Sequence, residues 1–428
     1  MTRTHTRRFL PLVVALAIVL SCFAGLGLTA AAEEKVTLTM WGWNAGSIET
    51  IFDSYVKATG ANVELNYVTV QQLEAFQKLQ TTISAGLELP DIVPAEINQR
   101  GTMMSLDIWE DLSKEPYNFD ATTGMFPYFV PLCTNERGEL VCLPWDMSTA
   151  ALAYKKDLAK QYLGTDDPVE LEKLLPNWDA FAEIGAKLNQ DTDGKVFMFA
   201  SLTNVKQIID GQNPSPIIES NVLDLEGSVR KTINRMVQFR DQKIVDNIIE
   251  SSPAYSASYA DDTHIFYPCA SWSPNYVIGP NDPEGIDSWG LMVPPEGCFS
   301  WGGSGHMIPK EAKHKKEAFD FISWLISTEG TISQYETVQF NISGPEAYKD
   351  PEFAKLYNDH FGKQNLGEIL FVKAMENIKV RPVSVYDVTI TEAWNLVTEA
   401  VNNDSSLGVD GAVALFETEL RNKIDDLQ

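Results

Sequence analysis

The feature that most restricts the fold of this chain is a regular alternation of strand-like and helix-like segments between residues 36 and 96. The segments "VTLTMW", "NVELNYVTV" and "PDIVPAE" have the patterns of strands, and apolar side chains recur at helical spacing between them. Gly60 and Gly86 end the two helical stretches. This βαβαβ order predicts an α/β fold with a parallel sheet and helices on its faces. Ligands of such sheets bind beyond the carboxyl ends of the strands, where Trp43 and Asn44 stand.

The length of the chain indicates more than one hydrophobic core. At 428 residues the chain exceeds the size at which a single core stops growing, so two lobes are expected. The last third of the chain carries amphipathic helical segments, "EAKHKKEAFDFISWLIST", "TITEAWNLVTEAVNN" and "GAVALFETELRNKI". No internal repeat or long linker separates the parts.

The N-terminus has the composition of a signal peptide. A basic head precedes an apolar run from Phe9, and small residues up to Ala32 fit cleavage before Glu33. Two alternatives stay open. Cys22 in "VLSC" could be lipidated, although Leu20 fits that signal poorly, or the segment could be retained as a membrane helix. The protein is therefore expected to be exported, to the periplasm or the cell surface.

The charge of the chain argues against two classes of partner. Lys and Arg number 33 and Asp and Glu number 59, which gives a net charge of −26. Such a surface repels phosphate backbones and anionic membranes, so nucleic-acid binding is not expected.

Four cysteines follow the predicted cleavage site, an even number that suggests disulfides in an exported chain. Cys133 and Cys142 flank "TNERGELV", whose turn-like centre predicts a hairpin that would pair them. Cys269 and Cys298 then pair by elimination. A zinc site is an alternative that lacks a histidine at suitable spacing, and free buried thiols are another.

Motifs of common enzymes are absent from the sequence. There is no nucleophile elbow, no phosphate-binding loop and no dinucleotide fingerprint. A secreted glycoside hydrolase would need two carboxylates that face one sugar. With 59 acids in the chain, the sequence does not single out such a pair. We therefore expect neither an enzyme nor a cofactor.

One segment resembles the start of a calcium-binding loop. In "NQDTDGK", Asn189, Asp191 and Asp193 take alternating ligand positions and Gly194 stands at the bend. The twelfth position, which should hold a bidentate glutamate, is Ala200. A solvated turn after a helix is therefore the preferred interpretation.

Several stretches in a characteristic order carry a family resemblance. They are "PDIV", "LPWDMSTAALAYKKDLAKQYLG", "YPCASW" and "WGGSGHMIPKEAKHKKEAFDFISWLIST". Together they resemble segments of the extracellular solute-binding proteins of ABC importers, in the class that includes maltose-binding protein. Lys155 stands where the family usually has Asn, and Ala270 where it usually has Gly. The resemblance spans essentially the whole chain after the signal peptide.

That resemblance implies a two-lobed fold of the periplasmic-binding-protein type, whose lobes close on a ligand. It places three hinge crossings near 147–151, 298–304 and 344–351. The implied division is a signal peptide of residues 1–32, an N-terminal lobe and a C-terminal lobe. The N-terminal lobe comprises 33–148 and 304–347, and the C-terminal lobe comprises 149–303 and 348–428. The partners implied are a small-molecule ligand and a membrane permease, and the protein is expected to be monomeric.

Within the implied cleft, the sequence offers the groups that bind sugars. Aromatic rings stack on the apolar faces of sugars, and planar polar side chains bond to the hydroxyl groups. The predicted binding residues are Trp43, Asn44, Glu96, Trp145, Asp146, Trp272, Trp301, Gly303, Arg381 and Tyr386. The predicted packing tryptophans are Trp41, Trp109, Trp178, Trp289, Trp324 and Trp394. A polyamine is the alternative ligand, because aromatics and carboxylates also bind cations.

Overall fold

A computed structural model describes most of the chain beyond the predicted signal peptide, namely residues 34–43, 45–146, 149–338, 344–349, 353 and 355–428. The signal peptide with Cys22, the predicted site residue Asn44 and parts of two predicted hinge crossings lie outside the described residues. Within the described part, no helix is long and apolar enough to cross a membrane.

The strands and helices alternate along much of the chain. The strands are β1 Val36–Gly42, β2 Val63–Thr69, β3 Val93–Glu96, β4 Leu143–Pro144, β5 Thr149–Lys155, β6 Phe197–Phe199, β7 Ile218–Glu219, β8 Val222–Leu223, β9 His264–Ala270, β10 Trp289–Met292, β11 Phe299–Ser300 and β12 Ser304–Met307. The helices are α1 Ala45–Thr59, α2 Ala75–Ser84, α3 Ile97–Met104, α4 Ala121–Gly124, α5 Val130–Cys133, α6 Lys156–Leu163, α7 Pro168–Leu174, α8 Trp178–Asp191, α9 Leu202–Gly211, α10 Leu225–Ser228, α11 Arg230–Asp241, α12 Pro253–Ser258, α13 Gly279–Asn281, α14 Lys315–Leu325, α15 Thr328–Val338, α16 Ala374–Asn377, α17 Asp387–Asn403 and α18 Val409–Lys423.

The first lobe forms around strands from the start and the later part of the chain. β1 and β2 pair in parallel, and Met40 makes a parallel bridge to Ile92 just before β3. The predicted βαβαβ arrangement is therefore confirmed. β12 lies between β3 and β4 and runs antiparallel to both, so the chain returns to this lobe after building the second sheet.

The second lobe is organised around one mixed sheet with β5 near its centre. β9 pairs with one edge of β5, and β10 and β11 pair with the other edge. β6 extends the sheet as a parallel neighbour of β9. Every residue of β5 and β9 is buried, which is typical of a sheet covered by helices on both faces.

The start of α17 is attached to α3 of the first lobe by side chain–backbone hydrogen bonds. Asp387 accepts from Gly101 N at 2.9 Å and from Ser384 N at 3.0 Å, and the Thr102 hydroxyl donates to Val385 O at 2.8 Å. Gly101 is needed for this approach, because a Cβ there would lie 2.1 Å from Ser384 O. Burial raises the pKa of Asp387 to about 7, although these hydrogen bonds and nearby arginines oppose the shift.

The structure contradicts both predicted disulfides, because all four cysteines are free thiols. Cys133 and Cys142 do meet across the predicted hairpin, but their thiols share a hydrogen bond instead of a covalent bond. Cys269 cannot reach Cys298, because β5 separates β9 from the strand that follows Cys298. Two strand spacings, roughly 10 Å, exceed the span of a disulfide.

The predicted calcium-loop residues lie at the end of a helix. α8 continues through Asn189 and Asp191, and side chains two positions apart on a helix point in different directions. Asp191 pairs with Lys187 one turn earlier, and Asp193 takes a positive φ of 52° just before Gly194. The segment is thus a helix-ending turn, and the described residues contain no group of three or more acidic, histidine or cysteine side chains placed to hold a metal.

Candidate binding cleft

A cavity of about 1030 Å³ lies where the two lobes meet. The start of α3 and the helices α9 and α17 contribute residues to its wall. The segments 300–302 and 380–384, and the stretches 216–220 and 248–250, also line it. The cavity therefore has contributions from both lobes and from the chain that joins them, the position at which closure of the lobes would enclose a ligand.

Two tryptophans form an aromatic corner beside the 300–302 segment. The rings of Trp272 and Trp301 have centroids 4.8 Å apart and are inclined at 51°. Both side chains are partly exposed, and Trp301 lines the cavity. Gly302 and Gly303 follow with φ values of 73° and 95°, a backbone turn that only glycine adopts without strain. The turn leads from β11 into β12 and holds Trp301 at the edge of the cavity.

One acid on α9 binds both cations that line the cavity. Asp210 accepts from Arg381 Nη2 at 2.9 Å and lies 3.6 Å from Lys206 Nζ. Arg381 also donates from Nε to Ser215 O at 2.8 Å. Burial would raise the pKa of Asp210, but the positive charges of Arg381 and Lys206 outweigh it, and the pKa is lowered. The three charges form one fixed network.

A second acid faces the cavity without a cation in direct contact. Gln207 Nε2 donates to both oxygens of Glu250, at 3.1 and 3.3 Å. Burial raises the pKa of Glu250, while Gln207 and the more distant Lys206 oppose the shift. The buried Gln207 Oε1 has no hydrogen-bond partner among the described residues, which leaves an acceptor at the cavity wall.

α9 presents these groups because of its sequence. Ser201 caps the helix by accepting from Thr203 N at 3.3 Å. The apolar residues of the helix face the core, including Val205, Ile208 and Ile209. The polar residues Thr203, Lys206, Gln207 and Asp210, spaced by three or four positions, share the face that lines the cavity.

Residues 50–358 match the family described as bacterial extracellular solute-binding protein. The chain belongs to this family. No curated protein matches the chain.

Solved structures of solute-binding proteins share the fold. A crystal structure described as extracellular solute-binding protein family 1 superposes with a TM-score of 0.79 at 20% identity, covering 90% of this chain and 99% of that one. The ABC-transporter-associated binding protein of B. animalis subsp. lactis Bl-04, in complex with β-1,6-galactobiose, gives 0.71 at 17% identity, with coverages of 91% and 97%. The sugar-binding protein MalE of Xanthomonas citri gives 0.71 at 19% identity, with coverages of 90% and 96%. The fold is thus that of two-lobed solute-binding proteins, as the sequence predicted.

The structure brings three of the predicted binding residues to the cavity. Trp301 and Arg381 line it, and Trp272 packs on Trp301. The other predicted residues with described side chains are not part of its lining.

Glu96, Asp146 and Gly303 form a buried layer next to the cavity. Glu96 caps α3 by accepting from Asn98 N at 2.9 Å, and Asp146 accepts from Ser304 N. The buried Arg100 donates from Nη2 to Gly303 O at 2.7 Å. Burial raises the pKa of Glu96 to about 7 and that of Asp146 to about 6, although hydrogen bonds and Arg100 oppose both shifts. These residues hold together the end of β3, the segment after β4 and the start of β12.

Trp145 is placed in the core of the first lobe. Its side chain is buried, and its Nε1 donates to Gln334 Oε1 at 2.7 Å. Its ring lies 5.5 Å from that of His306, whose pKa burial lowers to about 3. These contacts tie β4 to β12 and α15.

Trp43 stands between β1 and a helix that contacts the second lobe. α1 begins at Ala45, so Ser47 lies in its first turn, and the Ser47 hydroxyl is 2.9 Å from the Tyr276 hydroxyl of the second lobe. Trp43 is partly buried at the end of β1. Tyr386, also predicted for the cleft, donates instead to Asn221 Oδ1 at 2.9 Å, on the turn between β7 and β8.

The residues that sequence reasoning missed come from α9, from α17 and from the loop that holds Glu250. Lys206, Gln207 and Asp210 belong to no motif of the resemblance, and Glu250 stands in a loop. The available signal was the polar face of α9, whose residues recur at helical spacing in "LTNVKQIIDG". Such a face is ordinary on a solvated helix, so the pattern by itself did not indicate a cavity.

Proposed function

We propose that this protein captures a carbohydrate between its lobes outside the cytoplasm and delivers it to the permease of an ABC importer. The observation that carries the proposal is the interlobe cavity, which combines an exposed aromatic corner with amide, carboxylate and guanidinium groups. Aromatic faces and planar hydrogen-bonding groups are the pair of features that sugars require. Family membership and the sugar ligands of proteins with the same fold support the assignment.

Delivery follows from closure of the lobes around the ligand. The ligand contacts both lobes, so it stabilises the closed arrangement relative to the open one. The chain segments near 147–151, 298–304 and 344–351 would serve as the hinge, with lobe boundaries as predicted from the sequence. Export through the signal peptide, with or without a lipid on Cys22, would place a monomeric binding protein beside its permease.

The site binds its ligand without chemical turnover in this proposal. The three partly buried acids that line the cavity all have hydrogen-bond partners. Asp210 is bound by Arg381 and Glu250 by Gln207. Asp387 accepts from the backbone of Gly101 and Ser384. A pair of unengaged carboxylates on either side of a bond would be needed for glycoside hydrolysis.

Thermal unfolding in the presence of a ligand panel tests the proposal. Neutral oligosaccharides of several linkages are compared with spermidine and putrescine, because a ligand that binds only the folded state raises the melting temperature. A rise with one or more sugars, and intact sugar recovered on chromatography after incubation, is expected. A rise with the amines alone, or cleavage of the sugar, would contradict the proposal.

A further inference from the structure

The cavity is elongated along α17. Residues of this helix from Ile390 to Asn403 contribute to the lining, and 13 steps of the helix rise span about 20 Å. Uncharged polar side chains at Thr391, Asn395, Thr398 and Asn402 recur at intervals of three or four residues, so they share one face. The space is therefore much longer than one sugar ring and offers amide and hydroxyl groups along its length.

Both basic groups inside the cavity are engaged by the same acid. Lys206 and Arg381 are the basic lining residues, and both are bound to Asp210. Glu250 and Asp387 are further acids of the lining, and burial raises the pKa of both. The side chains of Lys206 and Asp210 are only 19% and 13% exposed, so little of either charge is screened by water.

The remaining acids make the surroundings of the cavity negative. Glu136, Glu219 and Glu399 are exposed at its edges. An anionic ligand would have to pass them, and inside it would lose its hydration without gaining an unengaged cation. An uncharged ligand has neither of these costs.

We propose that the cleft takes an uncharged oligosaccharide of several rings and that Asp210 excludes acidic oligosaccharides by occupying both Lys206 and Arg381. This inference rests on the proposed sugar-binding function and specifies the class of sugar. It makes Asp210 a specificity-determining residue.

Isothermal titration with matched neutral and acidic sugars tests the inference. Neutral oligosaccharides of two to five units are compared with oligogalacturonides of the same lengths. The wild-type protein is expected to bind a neutral series, with affinity that rises beyond the disaccharide, and to bind oligogalacturonides at least about tenfold more weakly. Equal or tighter binding of the oligogalacturonides by the wild type would overturn the inference, whatever the variants do.

Two variants that each remove one negative charge distinguish a specific role of Asp210 from a general effect of the charge of the cavity. Asp210→Asn leaves Lys206 and Arg381 without their acid, and its affinity for oligogalacturonides should rise about tenfold or more, the size of one charged hydrogen bond. Glu250→Gln removes one negative charge from the same cavity but frees no bound cation, so little gain is expected. An equal gain in both variants would refute the role of Asp210. Thermal melting checks that each variant is folded.

Failure of the proposed function has a different signature. A protein in which no oligosaccharide, neutral or acidic, changes the melting temperature or gives a titration signal does not bind sugars at all. A protein that binds acidic sugars in preference is a sugar-binding protein for which only the inference on ligand charge is wrong.

Discussion

Replacement of Glu96 by glutamine should change how the stability of this protein depends on pH. The Glu96 side chain is only 3% exposed, and burial raises its pKa from 4.5 to about 7. The folded state therefore holds the proton more tightly than the unfolded state. As a result, the free energy of unfolding falls as pH rises from about 4.5 through 7. The difference between these pKa values corresponds to roughly 3 kcal/mol.

Glu96→Gln removes this dependence of stability on pH but also weakens the cap at the start of α3. Glu96 accepts two hydrogen bonds from Asn98, at 2.9 and 3.0 Å, and glutamine keeps one carbonyl oxygen for them. Loss of one bond costs about 1 kcal/mol at every pH. At pH 5 wild type has already lost about 0.8 kcal/mol of this stabilisation, so we expect Glu96→Gln to be about as stable as wild type there. At pH 8 we expect the variant to be about 2 kcal/mol more stable.

Urea unfolding at pH 5 and pH 8, followed by tryptophan fluorescence at fixed ionic strength and without ligand, measures the free energy of unfolding of each protein. The comparison is valid if the m value is the same for both proteins. Glu49→Gln, which removes an acid from an exposed position on α1, is the matched control for the loss of one charge. A difference between Glu96→Gln and wild type that stays constant from pH 5 to pH 8 would refute the assignment of a proton to the buried Glu96.

Three further outcomes test the cleft and its supports. Trp301→Ala should weaken sugar binding at least about tenfold in titration calorimetry, because stacking on the aromatic corner is lost, and unchanged affinity would place the sugar elsewhere. Gly101→Ala should lower the free energy of unfolding by about 1–3 kcal/mol, because the new Cβ clashes with the segment before α17. Gly46→Ala is the control, because a Cβ there has no neighbour within 4 Å. Equal urea midpoints for the two variants would contradict the clash. Tyr276→Phe and Ser47→Ala should each speed ligand release about two- to tenfold in stopped-flow experiments, with no additive effect in the double variant, and additive effects would show that the two hydroxyls act independently.

Local patterns were sufficient to predict the architecture. The βαβαβ order and the helix-ending glycines depend on neighbouring residues, and β1, β2 and the helix between them occur where the patterns placed them. The six tryptophans that were expected to pack are all buried, and one of them, Trp394, also lines the cavity. Burial of a large ring follows from its position on an apolar face, which the sequence records directly.

The composition of the cleft depends on contacts between distant parts of the chain. Arg381 binds Asp210 across 171 positions, and Trp145 binds Gln334 across 189. No local pattern encodes such a pairing. A tryptophan at the end of a strand can face a cavity or a buried partner, and the local sequence does not distinguish the two. Trp145 is buried against Gln334, whereas Trp301 lines the cavity.

The cysteines show the same difference between local contacts and contacts that depend on the tertiary structure. The hairpin that joins Cys133 to Cys142 is local, so the sequence predicted their meeting. The separation of Cys269 from Cys298 depends on which strand lies between them, and β5 comes from another part of the chain.

The sequence by itself determined the family, the two-lobed α/β fold and the buried faces, because these follow from the order and periodicity of side chains. Tertiary structure alone decided which acids meet cations, which are buried with raised pKa values and which line the cavity, because each of these depends on distances between segments that only folding brings together.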